Sequence, residues 1–135
     1  MDFIVYLSAY LNGFIAGMIV GVLSWLIYGT FNPLGFNVGI LFACASSEVL
    51  YAVAGHIVRT GKVESTLDLA VRNGLSAAAS TILYDVLTNI SYMLVFHVEP
   101  MYALIMGLPF MAVHVISNTA IFIIAAPVMT LLSKT

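Results

Sequence analysis

The sequence predicts an all-α fold, a polytopic membrane bundle of four transmembrane helices forming one integral domain over residues 1–135. Three observations predict it. Of the 135 residues, 62% are hydrophobic and only 7% are charged, whereas a soluble domain carries roughly a quarter charged residues. The mean hydropathy is +1.10. No Asp, Glu, Lys or Arg occurs from Phe3 to Ser47 or from Pro100 to Ser133, and about 20 apolar residues suffice to cross the hydrocarbon core. This composition excludes a soluble enzyme and a disordered chain. With only four Lys and Arg, no basic patch can follow phosphates, so no nucleic-acid partner is expected. The partner that the composition demands is the lipid bilayer.

The first span is expected at about 3–28, because the first charge-free run is too long for one helix and breaks in turn chemistry at Gly29-Thr30-Phe31-Asn32-Pro33-Leu34-Gly35. Asp2 is the only early charge, and the apolar run outlasts a signal-peptide core, so this segment reads as a spanning helix. The second span is expected at about 37–58, ending at the polar segment Arg59-Thr60-Gly61-Lys62-Val63-Glu64-Ser65. Ser65 or Thr66 caps the third, at about 67–96, with Asp68 in its first turn. His97-Val98-Glu99-Pro100 closes that helix. The fourth is expected at about 101–132, with Gly107-Leu108-Pro109 kinking it or starting its main span.

Basic residues set the orientation. Arg59, Lys62 and Arg72 cluster at the second connection and Lys134 lies at the end, while the other connections hold no Lys or Arg. The positive-inside rule then places the second connection and the C-terminus in the cytoplasm, with both ends of the four-span chain on that side.

Small residues mark close helix contacts. Gly13, Gly17 and Gly21 recur every four residues in the first span, and Gly39, Ala43 and Ser47 repeat the device in the second. The third carries Gly74 and the run from Ser76 to Ser80. Such ridges serve internal packing or a docking face for a partner membrane protein. For the Gly13, Gly17, Gly21 ridge, docking is the expectation carried forward.

Ionisable groups within a membrane are costly, about 2.5–3.5 kcal/mol at the bilayer centre on insertion scales, and normally face a bundle interior or a wet cavity. Glu48 lies near the middle of the second span, where it can pair with Tyr51 or a serine, and Asp85 lies just past the middle of the third. Thr81, Asp85, Thr88, Asn89 and Tyr92 share one helical face, with Leu83, Val86, Leu87, Ile90 and Leu94 opposite. In the fourth, His114 and Asn118 share a face at i, i+4, beside Ser117. Asp85, Asn89, His114 and Asn118 are therefore expected to converge between the third and fourth spans as substrate-binding residues, joined by Tyr92 and Trp25. Trp25, Tyr28, Phe31 and Phe36 gather at the outer end, as an interfacial belt or the mouth of a pocket suited to a small planar or semi-polar molecule.

No GxGxxG, P-loop, HExxH or nucleophile elbow is present. His56, His97 and His114 are spread along the chain, and the single Cys44 makes neither a disulfide nor a metal site. No enzyme activity, cofactor or metal is expected.

The run Leu83-Tyr84-Asp85-Val86-Leu87-Thr88-Asn89 resembles the YD-x-x-TN segment in the fifth helix of substrate-binding S components of energy-coupling-factor (ECF) transporters. Gly107-Leu108-Pro109-Phe110 with His114 and Ser117-Asn118 resembles their sixth helix, and the stretch from Gly13 to Leu26 with the Pro33 break resembles their third. The resemblance covers nearly the whole chain. It implies a plasma-membrane protein of a family with six helices and cytoplasmic termini. Such a protein binds a vitamin or similar micronutrient near the outer face, topples in the membrane, and works with a membrane T component and two cytosolic ATPase subunits. The four spans look like the family's last four, so the first two are expected to be lacking, through truncation, a miscalled start or a natural short form. The alternative is a small ion-coupled four-helix exporter, acting as a dimer with Glu48 as its proton-coupling group.

Overall fold

The computed structural model describes residues 1–32 and 37–133, and is helical throughout with no strand among them. The elements are α1 (Asp2–Asn12), α2 (Phe14–Phe31), α3 (Val38–Ser47), α4 (Val49–Thr60), α5 (Thr66–Phe96), α6 (Pro100–Ile124) and α7 (Ala126–Leu132). Four helices are long and apolar enough to cross a membrane: Phe14–Phe31, Val38–Thr60, Thr66–Phe96 and Pro100–Ile124. Pro33, Leu34, Gly35 and Phe36 in the first connection and Lys134 at the end lie outside the described residues.

The first span differs from expectation. It is two helices, broken at Gly13, whose φ of 95° and ψ of 170° suit glycine and few other residues. The chain reverses there into an antiparallel hairpin. A Cβ placed on Gly17 would stand 2.7 Å from the Ala9 Cβ, and one on Gly21 would stand 3.5 Å from a Val5 methyl. Each pair is equidistant in sequence from Gly13, which is the register of a hairpin folded at that residue. On its other flank α1 lies against α4, where Gly55 leaves room for the Tyr6 carbonyl oxygen. The α1 helix thus fills the bundle interior, with Val5, Tyr6 and Ala9 fully buried. Its Asn12 end sits beside the loop-side end of α4, where the Arg59 guanidinium donates to the Leu11 carbonyl. Its Asp2 end lies level with the middle of α6. The expectation that the first span starts on the basic-loop side therefore holds for Phe14 but not for Asp2.

The second span follows the expected course with one irregularity. Glu48 separates α3 from α4 while keeping right-handed helical angles, φ −60° and ψ −19°, and its carbonyl accepts from both Tyr51 N (3.1 Å) and Ala52 N (3.3 Å). The Asn37 side chain caps α3 by accepting from Ile40 N at 3.1 Å. Ser65 caps α5 by accepting from Asp68 N at 3.1 Å, and Asp68 pairs with Arg72 at 2.8 Å. His97 ends α5 in the left-handed region, φ 54°. The Glu99 carboxylate accepts from Tyr102 N at 2.8 Å, opening α6 at Pro100. Helix α6 runs unbroken through Pro109, so the fourth span does not restart there. It ends instead at Ile124. Pro127, in the first turn of α7, has no N–H for the Ile123 carbonyl and crowds it, which separates the two helices.

Helices α5 and α6 pack side by side, with Gly74 set against the Ile123 side chain. On the expected polar face of α5, Thr81 and Asp85 are buried and Thr88 and Asn89 half-buried, but Tyr92 is exposed; opposite them Leu83, Val86, Leu87, Ile90 and Leu94 are exposed. The core links α1, α4, α5, α6 and α7 through Tyr6, Tyr51, Leu69, Phe122 and Met129.

A carboxylate–imidazole–carboxylate chain beside a cavity

The turns of α5 and α6 place Asp85 opposite His114. His114 Nδ1 lies 2.9 Å from Asp85 Oδ1, and its Nε2 lies 2.8 Å from Asp2 Oδ2. A neutral imidazole has a single N–H, so hydrogen bonds at both nitrogens need two protons among the three groups. Either His114 is cationic, or one acid is protonated. One turn along α6, Asn118 Nδ2 donates to Asp2 Oδ2 at 2.6 Å and lies within reach of Thr81 Oγ1 (3.0 Å) and Tyr51 Oη (3.2 Å). Tyr51 in turn donates to Thr81 at 2.9 Å. Helices α1, α4, α5 and α6 thereby meet at one buried polar knot.

Thr88 takes no part in it. Its hydroxyl donates to the carbonyls of Tyr84 (3.0 Å) and Asp85 (3.2 Å), so the Asp85 carboxylate is held by His114 and by no threonine or asparagine. Asp85 Oδ2 is buried without a hydrogen-bond partner. Glu48 is 1% exposed, and its Oε1 accepts from Trp25 Nε1 at 2.9 Å, so its partner is neither Tyr51 nor a serine. Its Oε2 meets no donor group, and the carboxyl lies beside that of Asp2.

Next to the knot lies a cavity of about 480 Å³. The structure brings all six sequence-expected residues to its wall: Asp85, Asn89, His114, Asn118, Trp25 and Tyr92. Asn89 packs against the backbone at Gly107, where a Cβ would stand 2.6 Å from its amide. Trp25 meets Tyr28 edge-on, with centroids 5.3 Å apart, and Phe110 packs on His114 at 5.5 Å. The polar floor is closed, with Asp85 at 1% exposure, whereas Tyr28 and Tyr92 at the rim are each 46% exposed. Phe31 is 80% exposed and contributes no wall, and Phe36 lies outside the described residues.

The glycine ridge is not a docking face. Gly17 and Gly21 are buried against the chain's own α1 and α4, with Glu48 Cβ 2.9 Å from a Cβ placed on Gly21, and Gly13 is the hairpin turn. The small residues admit α1, leaving no ridge for a separate helix.

Sequence reasoning missed Asp2, because its role requires the chain to fold back. The Asn12-Gly13 dipeptide, a common turn former, was the available signal. It also missed the bonds of Tyr51 and Thr81 to the knot and the fully buried Asn73, which accepts from Tyr6 Oη at 2.6 Å and donates to the Phe122 carbonyl at 3.1 Å. Among the described residues, no group of three or more His, Cys, Asp and Glu side chains is disposed to hold a metal ion. No protein-family profile, curated protein or solved structure matches this chain.

Proposed function

We propose that this chain is a membrane-embedded substrate-binding subunit, the S component of an ECF-type importer, that holds a vitamin or similar micronutrient in the cavity above the Asp85–His114 pair. The observation that carries the reading is the cavity itself. It has a few buried polar groups at its floor, an aromatic rim and a volume of about 480 Å³, the combination by which small-molecule pockets fix orientation and exclude water. The YD-x-x-TN-like run supplies four of its wall residues, Tyr84, Asp85, Thr88 and Asn89.

Binding rather than catalysis suits the geometry. Both nitrogens of His114 face carboxylates, which leaves neither free to activate a serine or thiol. Glu48 sits behind Trp25 at 1% exposure, a position better suited to holding the cavity wall than to passing protons, so the binding reading is preferred to the proton-coupled exporter. Energy for uptake would come from a T component and two cytosolic ATPase subunits. The protein would reside in the plasma membrane with its C-terminus cytoplasmic.

Affinity purification of the tagged chain from its native membranes tests this. A T component and ATPase subunits should copurify in mild detergent. Recovery of the chain alone, together with ATP-independent accumulation of a solute by proteoliposomes containing only this protein, would overturn the assignment.

A further inference from the structure

We propose that the cavity selects a flat organic cation, one that presents N–H donors at an edge, and rejects anions. The inference rests on the cavity-binding reading and narrows it to a ligand class.

Acceptors exceed donors around the cavity. Asp2 Oδ2 is taken by His114 and Asn118, and Asp2 Oδ1 lies 3.7 Å from the Met1 nitrogen. Glu48 Oε1 is taken by Trp25 and Asp85 Oδ1 by His114. One carboxyl oxygen is left over without any neighbouring partner, Asp85 Oδ2, whereas the Glu48 carboxyl lies beside that of Asp2. Asp85 lies on the cavity wall. Three carboxyl groups thus face two basic groups, the His114 imidazole and the Met1 amine, an excess of one carboxyl. Among the described residues the Lys and Arg side chains are elsewhere: Arg59 reaches the Leu11 carbonyl, Arg72 pairs with Asp68, and Lys62 lies in the loop between α4 and α5.

Buried carboxyl oxygens are ordinarily satisfied, and leaving one orphaned is costly. A ligand with an N–H edge supplies the missing donor and its charge offsets the acidic excess. The walls agree with this charge. Trp25, Tyr84, Tyr92 and Phe110 present aromatic rings to the same space, and ring faces attract cations. An anion of the same shape would meet Asp85, while both nitrogens of His114 on the same wall are already taken by the Asp85 and Asp2 carboxylates. The volume admits a one- or two-ring molecule, and its N–H edge reaches the enclosed Asp85 Oδ2 once the side chains covering that oxygen shift.

Three probes of nearly equal shape separate the charges: benzamidine (cationic), benzamide (neutral) and benzoate (anionic). Trp25 is the only tryptophan and lines the cavity, so its emission reports occupancy in the purified full chain in nanodiscs. Benzamidine should bind at least tenfold more tightly than benzamide, and benzoate should give no saturable response. Asp85→Asn should weaken benzamidine at least fivefold and shrink its margin over benzamide. If that variant does not fold, the order of the three probes on the unaltered protein decides alone. Benzoate binding as tightly as benzamidine, or no response to benzamidine, overturns the inference. A preference for benzoate would leave the cavity as a binding site and remove only its charge selectivity. Failure to copurify ATPase subunits would remove the importer reading and leave a measured cation preference standing.

Discussion

His114 and Asn118 were legible as site residues because one helical turn separates them, and Asp85 and Asn89 were legible for the same reason. Local periodicity needs no knowledge of the rest of the chain. Asp2 is different. Its oxygen ties His114 to Asn118 across 112 and 116 residues of sequence, a contact that no local pattern encodes. Asn73 belongs with Asp2: fully buried, it joins α1 to α6 by accepting from Tyr6 and donating to the Phe122 carbonyl. Tyr6→Phe preserves the ring packing against Phe122 but orphans Asn73 Oδ1. The expected loss is about 1–2 kcal/mol of unfolding free energy, at the modest end for a buried unsatisfied acceptor because interhelical bonds in membranes are weaker than their burial suggests. Denaturant unfolding in mixed micelles measures it, and an unchanged midpoint would mean that water or another group satisfies Asn73.

At the level of elements, the presence of four helices long and apolar enough to cross a membrane was legible because hydropathy and charge spacing are sums over many residues. The extents of the first and fourth were not: they run Phe14–Phe31 and Pro100–Ile124. Nor were the breaks at Gly13 and Ala125, because each depends on one residue inside an otherwise apolar run. Gly13 served in the sequence reading as one step of a ridge, while its structural role is a backbone conformation. These roles predict different costs. A Cβ at Gly13 meets nothing within 4 Å, so Gly13→Ala acts through strain alone, about 1–3 kcal/mol for a glycine-only region. At Gly17 a Cβ would stand 2.7 Å from Ala9 and 3.0 Å from the Val5 carbonyl. Gly17→Leu should therefore expel α1 from the interior and lower thermal stability well beyond Gly13→Ala. It should also make Tyr6 reactive or proteolytically accessible near α1. Limited proteolysis alongside a thermal scan of both variants distinguishes strain from displacement. Equal effects would mean that α1 does not need the glycine groove.

For the whole molecule, the buried knot and the basic loop lie at different levels along the bundle axis, and this polarity fixes which side the cavity opens to. Arg59, at the end of α4, bonds the Leu11 carbonyl at the Asn12 end of α1, and Lys62 follows in the adjoining loop. Moving along α1 away from that end leads to Asp2 and the knot, and the rim residues Tyr28 and Tyr92 lie farther still. If the basic loop is cytoplasmic, as the positive-inside rule predicts, the rim would face outward, as the proposed importer subunit requires. A membrane-impermeant maleimide tests this directly in sealed cells. Cys44 is 7% exposed, so Cys44→Ala gives a background in which single cysteines can be read. Thr30→Cys, at the exposed rim end of α2, should label from outside, and Lys62→Cys should label only after permeabilisation. The reverse pattern would turn the cavity toward the cytoplasm, and a substrate-binding importer subunit could not work from there.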